Sequence, residues 1–277
     1  MSQPTLGRVL FDWQLVPGVL LACMLLAGFY LAGVRRARRW AAWRTACFLA
    51  GLALIALALC SGLDTYASAL LSIHMAQHLA LSMLAAPLLV AGSPVVLALR
   101  ALNSRSSVRR GLVVVLHSRA FAILTSAPFA WLAFSATMLL THFTGLYSLA
   151  LRDPAVHALE HVLYIGTGVL FWWPLLDAGP LPGRTLGVVG RSAYLLLAMP
   201  VMAYIGAVMN WTDRLLYPEY AAPARALGRS ALSDQHDAGA LMWVGGKLVM
   251  ALLLLVTAWA ALQREERRQR AREARAA

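Results

Sequence analysis

Charged residues and cysteines are both scarce in this 277-residue sequence. Charged residues make up 13% of the chain and hydrophobic residues 60%, and the mean hydropathy is +0.68. These proportions exclude a soluble globular domain of this size and indicate a polytopic helical membrane protein. The three cysteines are separated by long apolar stretches without a C-x-x-C pair. We therefore interpret them as small apolar residues of membrane helices rather than as a redox or metal site.

The sequence also lacks the residue sets of familiar enzymes. It contains neither a recognisable Ser-His-Asp set nor a pair of carboxylates in a suitable context for acid and base catalysis. We therefore do not expect an enzyme.

Apolar runs long enough to cross a bilayer recur along the chain. One span needs about 20 apolar residues, and on that criterion we predict an all-α bundle of seven transmembrane helices. The predicted spans are Leu15–Val34, Trp43–Ser61, Leu71–Val90, Phe121–Leu140, His157–Leu176, Ala193–Trp211 and Gly239–Leu262. They form one membrane domain, residues 1–262, followed by a basic tail, residues 263–277. We place Pro200 near a helix end and expect Pro128 to kink the fourth span.

The arginines predict the orientation of this bundle. Eighteen of them lie in alternate connections and in the tail, and five lie on the opposite side. By the positive-inside rule, the C-terminus is cytoplasmic and the N-terminus is outside the plasma (inner) membrane. The formal net charge of +12 is then explained by topology and contact with membrane lipid, so we do not expect a nucleic-acid partner.

This orientation places six of the seven histidines at or near the outer ends of helices. His74 and His78 are four residues apart on one apolar run, and His157 and His161 repeat that spacing on another. In a helix, two such imidazoles share a face with Cβ atoms roughly 5 to 6 Å apart, close enough to bind one metal ion. His142, at the end of the fourth span, is a fifth candidate ligand. The alternative is that these are hydrogen-bonded interfacial histidines.

Other residues near the outer ends are candidates for supporting roles. We expect Glu160 to orient a neighbour or to face water rather than to bind the metal, and Asp234 either to accept an N–H from a ligand or to cap the seventh span. Gln235 and His236 adjoin Asp234. Thioethers are soft donors, so four methionines together favour copper, as Cu(I), over zinc, although each alone is typical of packing. They are Met75, Met138, Met209 and Met242.

Several segments, taken in order from about Asp12 to Leu262, resemble one family. The segments are FYLAGVRR, LDTYASALLSIHMAQHLALSMLAAPLLVAGSP, GLYSLAL, HALEHVLYIGTGVLFWWPLL, YPEY and DQHDAGALMWVGG. They are similar to the multi-span CtaG-type cytochrome c oxidase assembly factors of bacteria. The histidines of that family match His74, His78, His142, His157 and His161. Its D-Q-x-x-x-G-x-x-M-W motif matches Asp234, Gln235, Gly239, Met242 and Trp243, and His236 falls at an open position.

This resemblance implies a role in supplying copper to the oxidase from the extracytoplasmic side. We therefore expect copper, as Cu(I), bound by the histidines and passed on by ligand exchange, with oxidase subunits and a periplasmic copper chaperone as partners. Three alternatives remain at this point. They are a haem-binding redox protein with histidines of two helices as axial ligands, a copper permease, and a scaffold that binds oxidase subunits without metal.

Overall fold

A computed structural model describes residues 5–37, 39–176 and 186–276 of this chain. Every regular element within these ranges is helical, which confirms the all-α prediction. A π-helical segment, Ala80–Ala85, joins α5 to α6, and a 3₁₀ turn, Pro218–Tyr220, precedes α14. The α-helices are α1 (Leu6–Phe11), α2 (Pro17–Arg36), α3 (Ala42–Cys60), α4 (Gly62–Ala67), α5 (Leu71–Leu79), α6 (Ala86–Ala91), α7 (Pro94–Ala101), α8 (Ser107–His117), α9 (Arg119–Leu124), α10 (Ala127–Phe143), α11 (Leu146–Arg152), α12 (Pro154–Trp172), α13 (Val188–Trp211), α14 (Ala221–Ala226) and α15 (Ala231–Ala276).

The described ranges contain five helical stretches that are long and apolar enough to cross a bilayer. They are Pro17–Arg36, Ala42–Cys60, Leu71–Ala101, Val188–Trp211 and Ala231–Val256. A sixth candidate is α10 with α11, whose axes meet at 70°. The helix α12 is 19 residues long, but His157, Glu160 and His161 lower its mean hydropathy. The chain is therefore a multi-pass membrane protein, while seven spans and an outside N-terminus stay predictions.

Some of the arginines used to predict the orientation lie outside the residues that the structure describes. Arg38 and Arg184, together with the side chains of the tail arginines, lie outside the described residues. The orientation therefore rests on the sequence.

The fourth predicted span begins later than expected. The helix α9 ends at Leu124, and α10 begins at Ala127 rather than at Phe121. Pro128 thus lies in the first turn of α10, where its missing N–H group costs nothing. The predicted kink at Pro128 was therefore wrong. The expected position of Pro200 near a helix end was also wrong, since Pro200 lies inside α13.

The third span contains its π-helical segment directly after the end of α5. The amide of Ala86 bonds to the carbonyl oxygen of Leu81, which leaves the Ser82 carbonyl oxygen without its usual helical donor. The Trp172 indole N–H donates to this oxygen at 2.8 Å, and the Ser82 hydroxyl donates to the His78 carbonyl oxygen at 2.7 Å. These bonds tie α12 to the end of α5 and so fix the two helices that carry histidine pairs.

Two glycines allow α15 to lie close to α13. A Cβ atom added at Gly239 would be 2.6 Å from the Gly206 carbonyl oxygen, and one at Gly206 would be 2.6 Å from that of Gly239. Only residues without a side chain permit this approach. The helix α15 begins at Ala231, earlier than the predicted Gly239, and continues past residue 262 to Ala276. Its early start places Asp234 against α5.

Candidate metal centre

The helix α5 places His74 and His78 on one buried face. Their Nε2 atoms lie 2.8 Å apart, and the two residues are 0% and 1% exposed. Their rings meet edge to face with centroids 4.3 Å apart. The spacing of four residues thus directs both imidazoles to one point, as the sequence predicts.

The Tyr220 hydroxyl determines which nitrogen of His74 is free. It lies 3.0 Å from the Ala67 carbonyl oxygen, 2.9 Å from the Tyr147 hydroxyl and 2.9 Å from His74 Nδ1. Since a carbonyl oxygen only accepts, the O–H of Tyr220 donates to Ala67, and the Nδ1–H of His74 donates to Tyr220. The lone pair of the neutral ring is then on Nε2, which faces His78. Burial raises the pKa of the Tyr220 phenol, so this hydroxyl stays neutral.

The helix α12 brings the second histidine pair against the first. The ring centroids of His157 and His161 lie 4.3 Å apart. The centroid of His157 lies 5.4 Å from that of His74, and the centroid of His161 lies 6.2 Å from that of His78. The Nε2 atoms of His157 and His161 are buried and have no hydrogen-bond partner among the described residues. A buried nitrogen without a partner costs free energy that a bound ion would recover.

Glu160 points into this cluster. Its Oε2 lies 3.9 Å from His74 Nε2 and 4.0 Å from His78 Nε2, and the residue is 4% exposed. Within the described part of the chain, neither carboxylate oxygen has a hydrogen-bond partner. The ligand atoms of these three residues lie within 4.8 Å of one another. The expectation that Glu160 faces water was wrong. Glu160 follows His157 by three residues, a spacing that places both side chains on one face of the helix. This spacing could have predicted that Glu160 faces the histidines.

His142, near the end of α10, completes a group of five histidines. Its ring centroid lies 6.4 Å from that of His78. Its Nδ1 lies 2.7 Å from the Met138 carbonyl oxygen, and its Nε2 lies 3.2 Å from Met75 Sδ. All five predicted histidines therefore meet where α5, α10 and α12 come together. We call them the histidine cluster.

Tyrosines hold this histidine cluster in place. Tyr164 stacks on the His78 ring with centroids 3.9 Å apart, and the Tyr217 hydroxyl donates to the His142 carbonyl oxygen at 2.8 Å. The Tyr220 hydroxyl accepts the hydrogen bond from His74 Nδ1–H at 2.9 Å. No pattern in the sequence predicted a role for these tyrosines, although the segment YPEY contains two of them. A phenol both packs and donates, which suits the support of a buried imidazole.

The residues expected at the start of the seventh span bind backbone groups. The Asp234 carboxylate accepts hydrogen bonds from the amide and the hydroxyl of Ser72, in the first turn of α5. It therefore caps α5 rather than its own helix. The Gln235 side chain donates to the Arg214 carbonyl oxygen at 3.1 Å and accepts from the Leu216 amide at 2.7 Å. Gln235 thus secures the connection that follows α13.

His236 and Met242, also on α15, have surroundings of their own. His236 Nε2 lies 3.1 Å from the Thr212 carbonyl oxygen, at the end of α13. Met242 is 1% exposed and belongs to the main apolar core. Among the described residues, no hydrogen bond or ring contact joins either side chain to the histidine cluster.

One family model covers this whole arrangement. The model of the cytochrome c oxidase caa3 assembly factor family (Caa3_CtaG) matches residues 28–264. This chain belongs to the Caa3_CtaG family. The resemblance seen in the sequence motifs is thereby confirmed, and every residue of the histidine cluster lies inside the matched region.

Mycobacterial relatives match nearly all of this Caa3_CtaG chain. Uncharacterized proteins of Mycobacterium bovis and Mycobacterium tuberculosis are each 34% identical to it over an alignment of 285 residues that covers 98% of the chain. An uncharacterized protein of Mycobacterium leprae is 30% identical over 284 residues. The chain spans 42% of the length of each of these relatives. No solved structure matches it.

The donor atoms of this Caa3_CtaG chain fit a transition-metal ion. Imidazole nitrogen suits copper, zinc and iron, and the carboxylate of Glu160 supplies an oxygen. To reach one tetrahedral ion at 2.0–2.1 Å, the Nε2 atoms of His74 and His78 would move from 2.8 Å to about 3.3 Å apart. Small side-chain rotations achieve such a change. The buried Nε2 atoms of His157 and His161, which have no hydrogen-bond partner among the described residues, are additional candidate donors.

Proposed function

We propose that this Caa3_CtaG chain binds copper, as Cu(I), in the histidine cluster and delivers it to cytochrome c oxidase during assembly. The observation that supports this most is the convergence of His74, His78 and Glu160, whose buried ligand atoms lie within 4.8 Å of one another. A buried carboxylate and buried imidazoles without partners are costly to keep. That cost favours a site that is occupied during part of the protein's working cycle.

The proposed setting follows from the family and from the predicted orientation. The protein lies in the plasma membrane among lipids, with the histidine cluster toward the extracytoplasmic side. Oxidase subunits receive the ion, and a periplasmic copper chaperone supplies it. Binding and release require no covalent step, so we propose a delivery factor rather than an enzyme.

Metal binding competes with a hydrogen bond inside the histidine cluster. Because His74 Nε2 accepts, the Nε2–H of His78 donates across the 2.8 Å contact. His78 Nδ1 is then left as a buried acceptor without a partner. Binding one ion through both Nε2 atoms requires the other His78 tautomer, with its proton on Nδ1. When the ion leaves, the hydrogen bond between the two rings forms again, which offsets part of the cost of release.

The ring spacing favours an ion over a haem. The ring centroids that join α5 to α12 lie 5.4 Å and 6.2 Å apart, and the Glu160 carboxylate lies beside the His74 and His78 nitrogens. A haem would have to displace that carboxylate and spread the helices to admit its macrocycle. A small ion needs only side-chain rotation.

The test is metal content together with the visible spectrum of the detergent-purified chain. We compare the wild type with a His74→Ala/His78→Ala double variant after Cu(I) loading under reducing conditions. The control is His117→Ala, an exposed histidine on α8 whose ring bonds to the Val113 carbonyl oxygen. We expect near-stoichiometric copper in the wild type and the control, loss of copper in the double variant, and no Soret band.

Four results would contradict this proposal. Copper retained in the double variant would place the metal elsewhere, and the absence of copper from the wild type would favour a scaffold. A Soret band that depends on His74 and His78 would establish the haem-binding alternative. Copper uptake into proteoliposomes would establish a permease.

A further inference from the structure

A second pair of donor atoms lies beside the site formed by His74, His78 and Glu160. The Nε2 atom of His142 lies 3.2 Å from the sulfur of Met75. His142 is 3% exposed and Met75 is fully buried. Both atoms are therefore enclosed by protein and face each other.

Neither His142 Nε2 nor the sulfur of Met75 carries a proton, so each atom has a lone pair. Because His142 Nδ1 lies 2.7 Å from the Met138 carbonyl oxygen, which only accepts, the proton of the neutral ring is on Nδ1. Nε2 therefore carries no proton, and a thioether sulfur has no proton to donate. Two acceptors at 3.2 Å gain nothing from each other. An electron-pair acceptor between them would make the contact favourable.

We propose that His142 and Met75 form a distinct soft subsite for Cu(I) within the histidine cluster. Imidazole nitrogen suits copper, and thioether sulfur selects Cu(I) over harder ions. This inference rests on the proposed function and deepens it, because it assigns the preference for Cu(I) to one named sulfur. The sequence alone could offer Met75 only as one of four outer methionines.

The two subsites share the helix α5. Met75 follows His74 directly and precedes His78 by three residues, so neighbouring side chains of α5 serve both sites. The His78 ring of the first subsite also neighbours the second, with its centroid 4.3 Å from that of His74 and 6.4 Å from that of His142. A Cu(I) ion therefore passes from one subsite to the other by exchanging one ligand at a time, without leaving the buried cluster.

X-ray absorption at the copper edge tests this proposal on the full chain loaded with Cu(I). Met75→Leu removes the sulfur with little change in side-chain volume. Met202→Leu is the matched control, since Met202 is also fully buried in the apolar core but lies on α13. We expect a sulfur scatterer in the wild type and in Met202→Leu, and its loss in Met75→Leu. His142→Ala should lose it as well, which provides a second variant if Met75→Leu does not fold.

The outcomes separate this inference from the proposed function. Copper bound through nitrogen and oxygen alone in the wild type would overturn the His142 and Met75 subsite and leave the proposed function standing. A sulfur scatterer that persists in both Met75→Leu and His142→Ala would overturn it too. If neither the wild type nor any variant binds copper, the proposed function fails, and this inference fails with it.

Discussion

At the residue scale, the clearest feature is a carboxylate buried with several imidazoles. Glu160 is 4% exposed, and neither of its oxygens has a hydrogen-bond partner among the described residues. Such a group destabilises a protein unless something compensates it. Glu160 lies within 4.0 Å of the Nε2 atoms of His74 and His78. The arrangement therefore combines a local cost in stability with a set of atoms that suits a cation.

Replacing Glu160 with glutamine tests this combination. Glu160→Gln keeps the size of the side chain and replaces the buried ionisable group with a neutral amide beside the Nε2 atoms of His74 and His78. We expect the metal-free variant to gain about 1–3 kcal/mol in free energy of unfolding, because a buried unpaired acceptor is relieved. Copper affinity should fall about tenfold or more, as is typical when groups around a metal are altered. Denaturant unfolding and competition with a Cu(I) chelator measure the two effects.

Glu219→Gln is the matched control for Glu160→Gln. Glu219 forms an ion pair with the largely exposed Arg152, and such pairs contribute little. We expect the control to leave copper affinity unchanged. If Glu160→Gln also left the affinity unchanged while raising stability, Glu160 would not be a ligand.

At the scale of elements, the short helix α5 is held at both ends by other helices. It has nine residues, yet it carries His74, Met75 and His78. Its first turn is capped by Asp234 of α15, and the π-helical segment after its last turn bonds to Trp172 of α12. A helix this short has little stability of its own. The geometry of the histidine cluster therefore depends on Asp234 and Trp172, whose hydrogen bonds among the described residues go to Ser72 and Ser82 rather than to a histidine side chain.

Removing the cap should weaken metal binding from a distance. Asp234→Ala deletes the acceptor for the Ser72 amide and hydroxyl, and loss of such a cap costs about 0.5–2 kcal/mol. We expect lower thermal stability and weaker Cu(I) binding, because the first turn of α5 frays next to His74. Asp234→Asn keeps an acceptor oxygen and should recover part of both losses. Thermal unfolding and chelator competition check these outcomes.

Asp237→Ala serves as the control for Asp234→Ala. Asp237 lies one turn along α15, its side chain is 55% exposed, and it pairs with Arg229 at the surface. We expect no change in Cu(I) affinity. Equal effects of the two alanine variants would show that general damage to α15, rather than the cap on α5, is responsible.

At the scale of the whole molecule, chain direction gathers the cluster at one end of the helices. His74 lies near the start of α5, His157 near the start of α12, and His142 near the end of α10. Antiparallel neighbours bring such positions to the same level in the membrane. If the positive-inside assignment holds, that level is the extracytoplasmic side.

Labelling of engineered cysteines with a membrane-impermeant thiol reagent tests the orientation. Ser233→Cys, an exposed position at the start of α15, should react in intact cells. Ser104→Cys, exposed in the arginine-rich connection after α7, should react only after the membrane is opened. The wild type, whose three cysteines are half-buried or buried, is the control. The reverse pattern would invert the assignment and place the histidine cluster toward the cytoplasm.

Some boundaries were predictable, and others depended on interactions that a hydropathy pattern does not contain. The start of the third span at Leu71 was predicted correctly because a long apolar run begins there, but the candidate span continues to Ala101 rather than ending at the predicted Val90. The start of α10 was misplaced because the apolar run extends back to Phe121 across a break at Thr125. The start of α15 was placed too late because polar residues there, including Asp234, bind α5 rather than water.

The membrane class, the family and the histidine pairs were all predictable from sequence, because hydropathy, motifs and the spacing of four residues are local properties of a chain segment. The packing of the helices was needed to show that five histidines form one cluster, that Glu160 points into it, and that Met75 faces His142. Those facts depend on which faces of α5, α10 and α12 meet and on the rotation of each helix about its axis. Packing between helices sets that rotation, and the spacing of residues within one helix does not encode it.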